Sequence, residues 1–154
     1  MFDLAYECKI GDKQFFISHA GLTNGWLAQH PLSFKQLKFK KTAKTINKLF
    51  HEGKLWESLS DVSWARGGDK DNGSIIWADV IEHEWHRKNN AFRKKIQIFG
   101  HSQQIKDPVN MNGINYCLDC RQAFYIDSNG VIRFYNTDET IPETNRNSFF
   151  AKYF

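Results

Sequence analysis

Two histidines in this 154-residue chain stand in matching local settings. His19 closes the run Phe15-Phe16-Ile17-Ser18 and is followed by Ala20 and Gly21. His101 closes Ile96-Gln97-Ile98-Phe99-Gly100 and is followed by Ser102. An apolar run that breaks at small residues predicts a buried strand whose carboxyl end presents an imidazole where the chain turns away. Small neighbours would let a metal ion or phosphate oxygens approach the backbone closely. One strand-end histidine is more often structural than a ligand; two suggest a shared site along one sheet edge. In open α/β sheets that edge is where ligands bind.

Other residues carry chemistry less specifically. Arg66 lies between Trp64 and Gly67-Gly68, where packing can hold its stem and the backbone is loose. Guanidinium is a natural fork for phosphate, although a surface-loop arginine fits the local sequence equally well. Cys117 and Cys120 form a CxxC around Asp119 with no second pair, which points only weakly to zinc. His83 and His86 have the i, i+3 spacing of a metal pair. Glu82, Glu84, Arg87 and Lys88 surround them, so the expectation is an exposed polar helix face.

The elements that must position these groups follow from periodicity. Residues 6–10 and 14–18 flank Gly11-Asp12-Lys13 as a hairpin. Phe15, Phe16 and Ile17 are consecutive, so both faces of the second arm are expected to be covered. From 34 to 50 the pattern is helical, with Phe39, Ala43, Ile46 and Phe50 on one face and Gly53 at the stop. The opposite face carries Lys35, Lys38, Lys40, Lys41, Lys44 and Lys48. It predicts a solvated face or a rim attractive to phosphorylated substrates; no interleaved aromatics support strand binding, which leaves nucleic acid a minor option. Residues 55–62 form a short amphipathic segment. Ser74 is expected to cap a helix carrying the stripe Trp77, Val80, Ile81 and Trp85. Residues 102–112 read as a loop punctuated by Pro108 and Asn112-Gly113. Strands are expected at 114–118, 123–126 and 131–135, the last two joined across Asp127-Ser128-Asn129-Gly130. A polar stretch, 136–147, leads to Phe149, Phe150, Tyr153 and Phe154, too apolar to be left in water and expected to dock on the domain or on a partner.

Composition bounds the rest. Hydrophobic residues are 41% and aromatics 15%, which excludes disorder as the default and suits a single domain, 1–154. A net charge of +4 favours anionic partners without demanding nucleic acid. No apolar run approaches the roughly 18 residues of a membrane span. The start, Met1-Phe2-Asp3-Leu4, lacks the order of a signal peptide. Three cysteines, an odd number, suit reduced thiols. The expectation is a cytoplasmic protein with no membrane partner.

Taken together, Ile17-Ser18-His19-Ala20-Gly21-Leu22, Trp64-Ala65-Arg66, Phe99-Gly100-His101-Ser102 and Asn115-Tyr116-Cys117-Leu118-Asp119 have the order and rough spacing of one family. Over about residues 5–136 the chain resembles the second half of the calcineurin-like metallophosphoesterases, in the serine/threonine phosphatase branch of bacteria and phages. The resemblance implies an α/β fold: half of a two-sheet sandwich, with a mixed sheet, flanking helices and a C-terminal β-hairpin. It implies hydrolysis of phosphate esters, phosphoserine or phosphothreonine among them, by a two-metal mechanism. His19 and His101 would be two ligands of the second metal, Arg66 would grip the substrate phosphate, and Asp119 would support the site from behind or serve structure alone. The cofactors implied are two divalent ions, Mn, Fe or Zn, about 3.5–4 Å apart, holding a bridging hydroxide and stabilising charge on the phosphoryl group.

The family's Asp-x-His, Gly-Asp-x-x-Asp-Arg-Gly and Gly-Asn-His-Glu motifs should precede His19, yet only eighteen residues do and none of the motifs is present. Those motifs hold the first metal, the bridging aspartate, the asparagine of the second metal and the general acid. Cys117 and Cys120-Arg121 also replace the family's usual Ile/Val and Thr-Gly. The chain then supplies two ligands and half a site, as a truncated or separately encoded carboxyl-terminal half, expected to be inactive alone. Its expected partners are a phosphorylated substrate and a complementary amino-terminal half, or a second copy. A different class of reading is a non-catalytic phosphate- or partner-binding protein derived from the fold. A third is an unrelated basic module with zinc on Cys117 and Cys120.

Overall fold

A computed structural model describes residues 2–30, 42–85, 94–103 and 107–151. Its centre is a mixed five-stranded sheet of β1 (Ala5–Ile10), β2 (Lys13–Ser18), β3 (Lys95–Phe99), β4 (Val109–Met111) and β5 (Asn115–Cys117), in the order β1-β2-β3-β5-β4. The inner strands β2, β3 and β5 are parallel, and β1 and β4 pair antiparallel at the two edges. The first hairpin forms as expected, with Gly11 at φ 58° in its turn. Strand β4 lies within the stretch expected to be loop. Asn112 and Gly113, at φ 55° and 66°, make a hairpin turn between β4 and β5, which glycine permits freely and asparagine tolerates.

Successive strand residues face opposite sides, so Phe15 and Phe16 enter different cores, and both are fully buried. On the Phe15 face lies the hairpin of β6 (Phe124–Ile126) and β7 (Ile132–Phe134), whose apolar side chains pack with Ile10, Ile96, Ile98 and Tyr116. Its turn is closed by Asp127, which accepts the backbone N–H groups of Asn129 and Val131, each at 2.9 Å. On the Phe16 face lie the helices α1 (Asn24–Gln29), α2 (Thr42–His51), α3 (Trp56–Leu59) and α4 (Val80–Trp85). Of the expected stripe on α2, Ala43 and Ile46 are buried and Phe50 is partly buried, with Leu49 the further buried apolar residue; Lys44 and Lys48 point to solvent, and Gly53 at φ 74° follows the helix end. Phe39 and the lysines at 35, 38, 40 and 41 lie outside the described residues, as do His86 and the basic residues at 87, 88 and 93.

Three expectations are corrected on the helical side. Ser74 does not cap α4; its hydroxyl donates to the Leu59 carbonyl at 2.9 Å. The cap is Asp79, whose side chain accepts Ile81 N–H at 3.0 Å, while Glu82 reaches back to Asp79 N–H at 2.8 Å. Trp77 therefore precedes the helix and is partly exposed instead of belonging to its apolar stripe. His83 and Glu82 are buried, not solvent-facing: Glu82 accepts three hydrogen bonds, from Ser63, Gly73 and Asp79, and His83 stacks on Phe99 with ring centroids 4.1 Å apart. Lys95, at the end of the basic run, is also buried and pairs with Glu7. The short α5 (Arg146–Phe150) docks Phe149 against Val80, Ile81, Phe99 and Met111. Tyr153 and Phe154 lie outside the described residues.

Candidate functional site

The parallel strands β2, β3 and β5 end side by side, in a register that pairs Ile17 with Ile98 and Phe99 with Cys117. The residues just past those ends are His19, Gly100-His101 and Leu118-Asp119, so the sheet delivers three of the sequence-nominated residues to one edge. The junctions are stitched by backbone bonds: Gly100 N–H donates to the His19 carbonyl at 2.8 Å, and Leu118 N–H to the Phe99 carbonyl at 2.9 Å.

His19 Nε2 and His101 Nδ1 stand 2.9 Å apart. That is a hydrogen bond sharing one proton, and it is also close to the spacing of two nitrogens on one ion. Two imidazoles bound tetrahedrally to zinc at about 2.0–2.1 Å hold their nitrogens roughly 3.3–3.4 Å apart, so a bound ion would spread this pair by about 0.4 Å. Burial first, then the Arg66 guanidinium and His19, lower the His101 pKa from its ordinary value. The ring is thereby biased towards the neutral form that ligates metal. Its Nε2 is buried with no hydrogen-bond partner among the described residues. The two imidazoles fit an ion of the Mn, Fe or Zn kind. Among the described residues no group of three or more His, Cys, Asp or Glu gathers around a common point.

The His19 loop is fixed from the core. Gln97, fully buried on β3, accepts Leu22 N–H at 2.9 Å and donates to the Leu22 carbonyl at 3.1 Å, clamping a segment 75 residues away. His83 faces the Ala20 carbonyl at 3.0 Å. Gly21, at φ 84°, is required here: a Cβ would meet His83 Nε2 at 2.4 Å. Sequence reading missed Gln97 and His83 as supports. A glutamine inside an apolar strand was the available signal for the first.

Arg66 sits in a 3-10 turn, Trp64–Arg66, ended by Gly67 at φ 79°. Its Nη2 donates to the His101 carbonyl at 2.8 Å and to Ser102 Oγ at 2.7 Å, and its Nε makes an ion-pair contact with Asp79 at 2.8 Å. The guanidinium thus stands beside the histidine pair, with part of its donor set spent on the His101 loop. Asp119 lies behind Gly100, close enough that a Cβ there would touch its side chain at 3.5 Å. Among the described residues, Cys117 and Cys120 join no group of metal-ligating side chains. The Cys117 thiol is fully buried, donates to the Gly100 and Ser102 carbonyls, and has its pKa pushed up to about 12 by burial. It stays a protonated core residue at neutral pH.

In front of the pair lies a cleft of about 690 Å³, lined by Phe2, Tyr6, Ile17, Trp77 and the two histidines among others. Trp77 meets the His101 ring edge-on, with centroids 5.4 Å apart. A second cavity of about 650 Å³ is polar and contains the paired His30 and Asp61. No helix of the described residues is long and apolar enough to cross a membrane. Comparison with family models, curated proteins and solved structures found no match.

Proposed function

We propose that this chain is the carboxyl-terminal half of a metal-dependent phosphoesterase related to the calcineurin-like serine/threonine phosphatases. The observation that carries the reading is the approach of His19 Nε2 to His101 Nδ1, 2.9 Å apart beyond the ends of adjacent parallel strands, with Arg66 alongside. His19 and His101 hold a divalent ion, with the remaining ligands supplied by a complementary segment. Arg66 keeps a cationic edge next to that ion, where a phosphate ester's oxygens come to rest. Asp119 lies behind the Gly100 turn that carries His101. When bound, a pair of Mn, Fe or Zn ions supplies an activated hydroxide and charge stabilisation for the phosphoryl group. The coarser description, an α/β fold with a mixed five-stranded sheet, is compatible with half of the family's sandwich.

The test is hydrolysis of an aryl phosphate with added Mn²⁺. The chain alone turns over negligibly. Addition of an amino-terminal half bearing Gly-Asp-x-x-Asp-Arg-Gly and Gly-Asn-His-Glu restores activity, and Arg66→Ala then costs about 1.5–3 kcal/mol in kcat/KM. Metal-dependent turnover by the chain alone, lost in both His19→Ala and His101→Ala, would contradict the half-site. No turnover in the reconstituted pair would favour a non-catalytic phosphate-binding role.

A further inference from the structure

The backbone of His101 adopts the left-handed conformation, φ 65°, at the residue whose ring meets His19. A side-chain-bearing residue keeps that conformation only where its surroundings hold it. The holding groups come from behind the imidazole pair. Arg66 Nη2 bridges the His101 carbonyl and Ser102 Oγ. Ser102 Oγ in turn accepts Val80 N–H at 2.8 Å and faces Asp79 Oδ2 at 3.3 Å. Asp79 Oδ2 also contacts Arg66 Nε at 2.8 Å. The same carboxylate therefore faces both groups that fix the His101 loop, and Asp79 is only 6% exposed. Its other oxygen caps α4, whose Val80 and Ile81 pack with Phe99 of β3. Asp79 makes no hydrogen bond to either imidazole.

We infer that Asp79 is a positioning residue for the histidine pair: its carboxylate aims the Arg66 guanidinium at the His101 carbonyl and the Ser102 hydroxyl, and so sets where Nδ1 stands. The consequence for metal binding rests on the proposed phosphoesterase reading, whereas the placement of the ring is a property of the metal-free chain. Pure helix capping is the rival role, and chemistry separates the two. Asparagine caps a helix about as well as aspartate, so Asp79→Asn keeps the cap of α4 and removes the charge facing Arg66. Arg66→Lys keeps a cation near Asp79 and loses the fork that bridges His101 and Ser102.

The experiment uses the full chain with nitrogen-15-labelled histidines. In the metal-free protein, Asp79→Asn and Arg66→Lys each shift the ring-nitrogen resonances of His101 and His19, while those of His83 stay in place. Titration with Zn²⁺ then shows an affinity lower by about 10–100-fold in Asp79→Asn, as for other residues that orient a metal ligand. The double variant is no worse than the weaker single one, because both act through one chain of contacts. Should Asp79→Asn fail to fold, Arg66→Lys carries both readouts. His101 resonances unmoved in the folded variants would overturn the inference. A wild-type chain that binds no Zn²⁺ at His19 and His101 counts against the phosphoesterase reading, and the metal-free resonances still decide the positioning.

Discussion

His101 concentrates the physical chemistry of the site, since its ring is partly buried, lies near a guanidinium and shares a proton with His19. Its pKa is lowered by burial and then by Arg66 and His19, so the folded protein takes up its proton at a lower pH than the unfolded chain. On acidification below the ordinary value of 6.5, the unfolded state protonates first. Stability from this group is therefore intact above that value and declines as pH falls towards the folded pKa. Glu82 works in the opposite direction, because burial raises its pKa and a folded state that holds a proton gains on acidification. Comparing variants separates the two. The melting temperature should fall from about pH 7.5 to about pH 5.5, and by less in His101→Gln, with Glu82 unchanged in both. An equal fall in the two proteins would show that His101 does not titrate as described.

The elements act as brackets for two short loops. Strand β3 holds the His19 loop through Gln97 and carries His101 at its own end, so one central strand fixes both histidines. Helix α5 matters because Phe149 completes the cluster beneath Phe99, the last residue of β3. Phe149→Ala should lower stability by about 1.5–3 kcal/mol in urea unfolding; no change would mean that the tail is not docked in solution. The hairpins, the α2 stripe and the convergence of His19 with His101 were legible in the sequence, because period-two and period-3.6 patterns and strand-end breaks are local signals. Strand β4 was not: Pro108 and a three-residue length gave it the look of loop, although Asn112-Gly113 was a hairpin signal. Nor was the burial of His83 and Glu82. Their polar neighbours in sequence suggested solvent, while the capping box, Ser63, Gly73 and the Ala20 carbonyl that satisfy them come largely from elsewhere in the chain.

At the scale of the whole molecule, a chain that works as half of a site, as proposed, needs a surface on which the other half can dock. Phe15 and Phe16 need no further segment to cover them, because the β6–β7 hairpin and the helices bury both, whereas Ile17 lines the cleft. Among the described residues the outer edge of β1 pairs with no second strand, although the Asn47 side chain takes the Ala5 N–H and C=O at one end, and the cleft before His19 and His101 lies beside it. An edge strand offers unpaired N–H and C=O groups to another chain, and the exposed Phe2 and Tyr6 beside it offer apolar area. In the proposed reading the complementary half joins there and brings its ligands to the two imidazoles. In the proposed reading His19 and His101 are a metal pair, and sub-stoichiometric Mn²⁺ tests this through paramagnetic broadening of the histidine rings. The account predicts that His19 and His101 broaden first, with His30, His51 and His83 still sharp. Broadening that begins at His30, beside the carboxylates of the polar cavity, or spreads evenly over all the histidines, would contradict it.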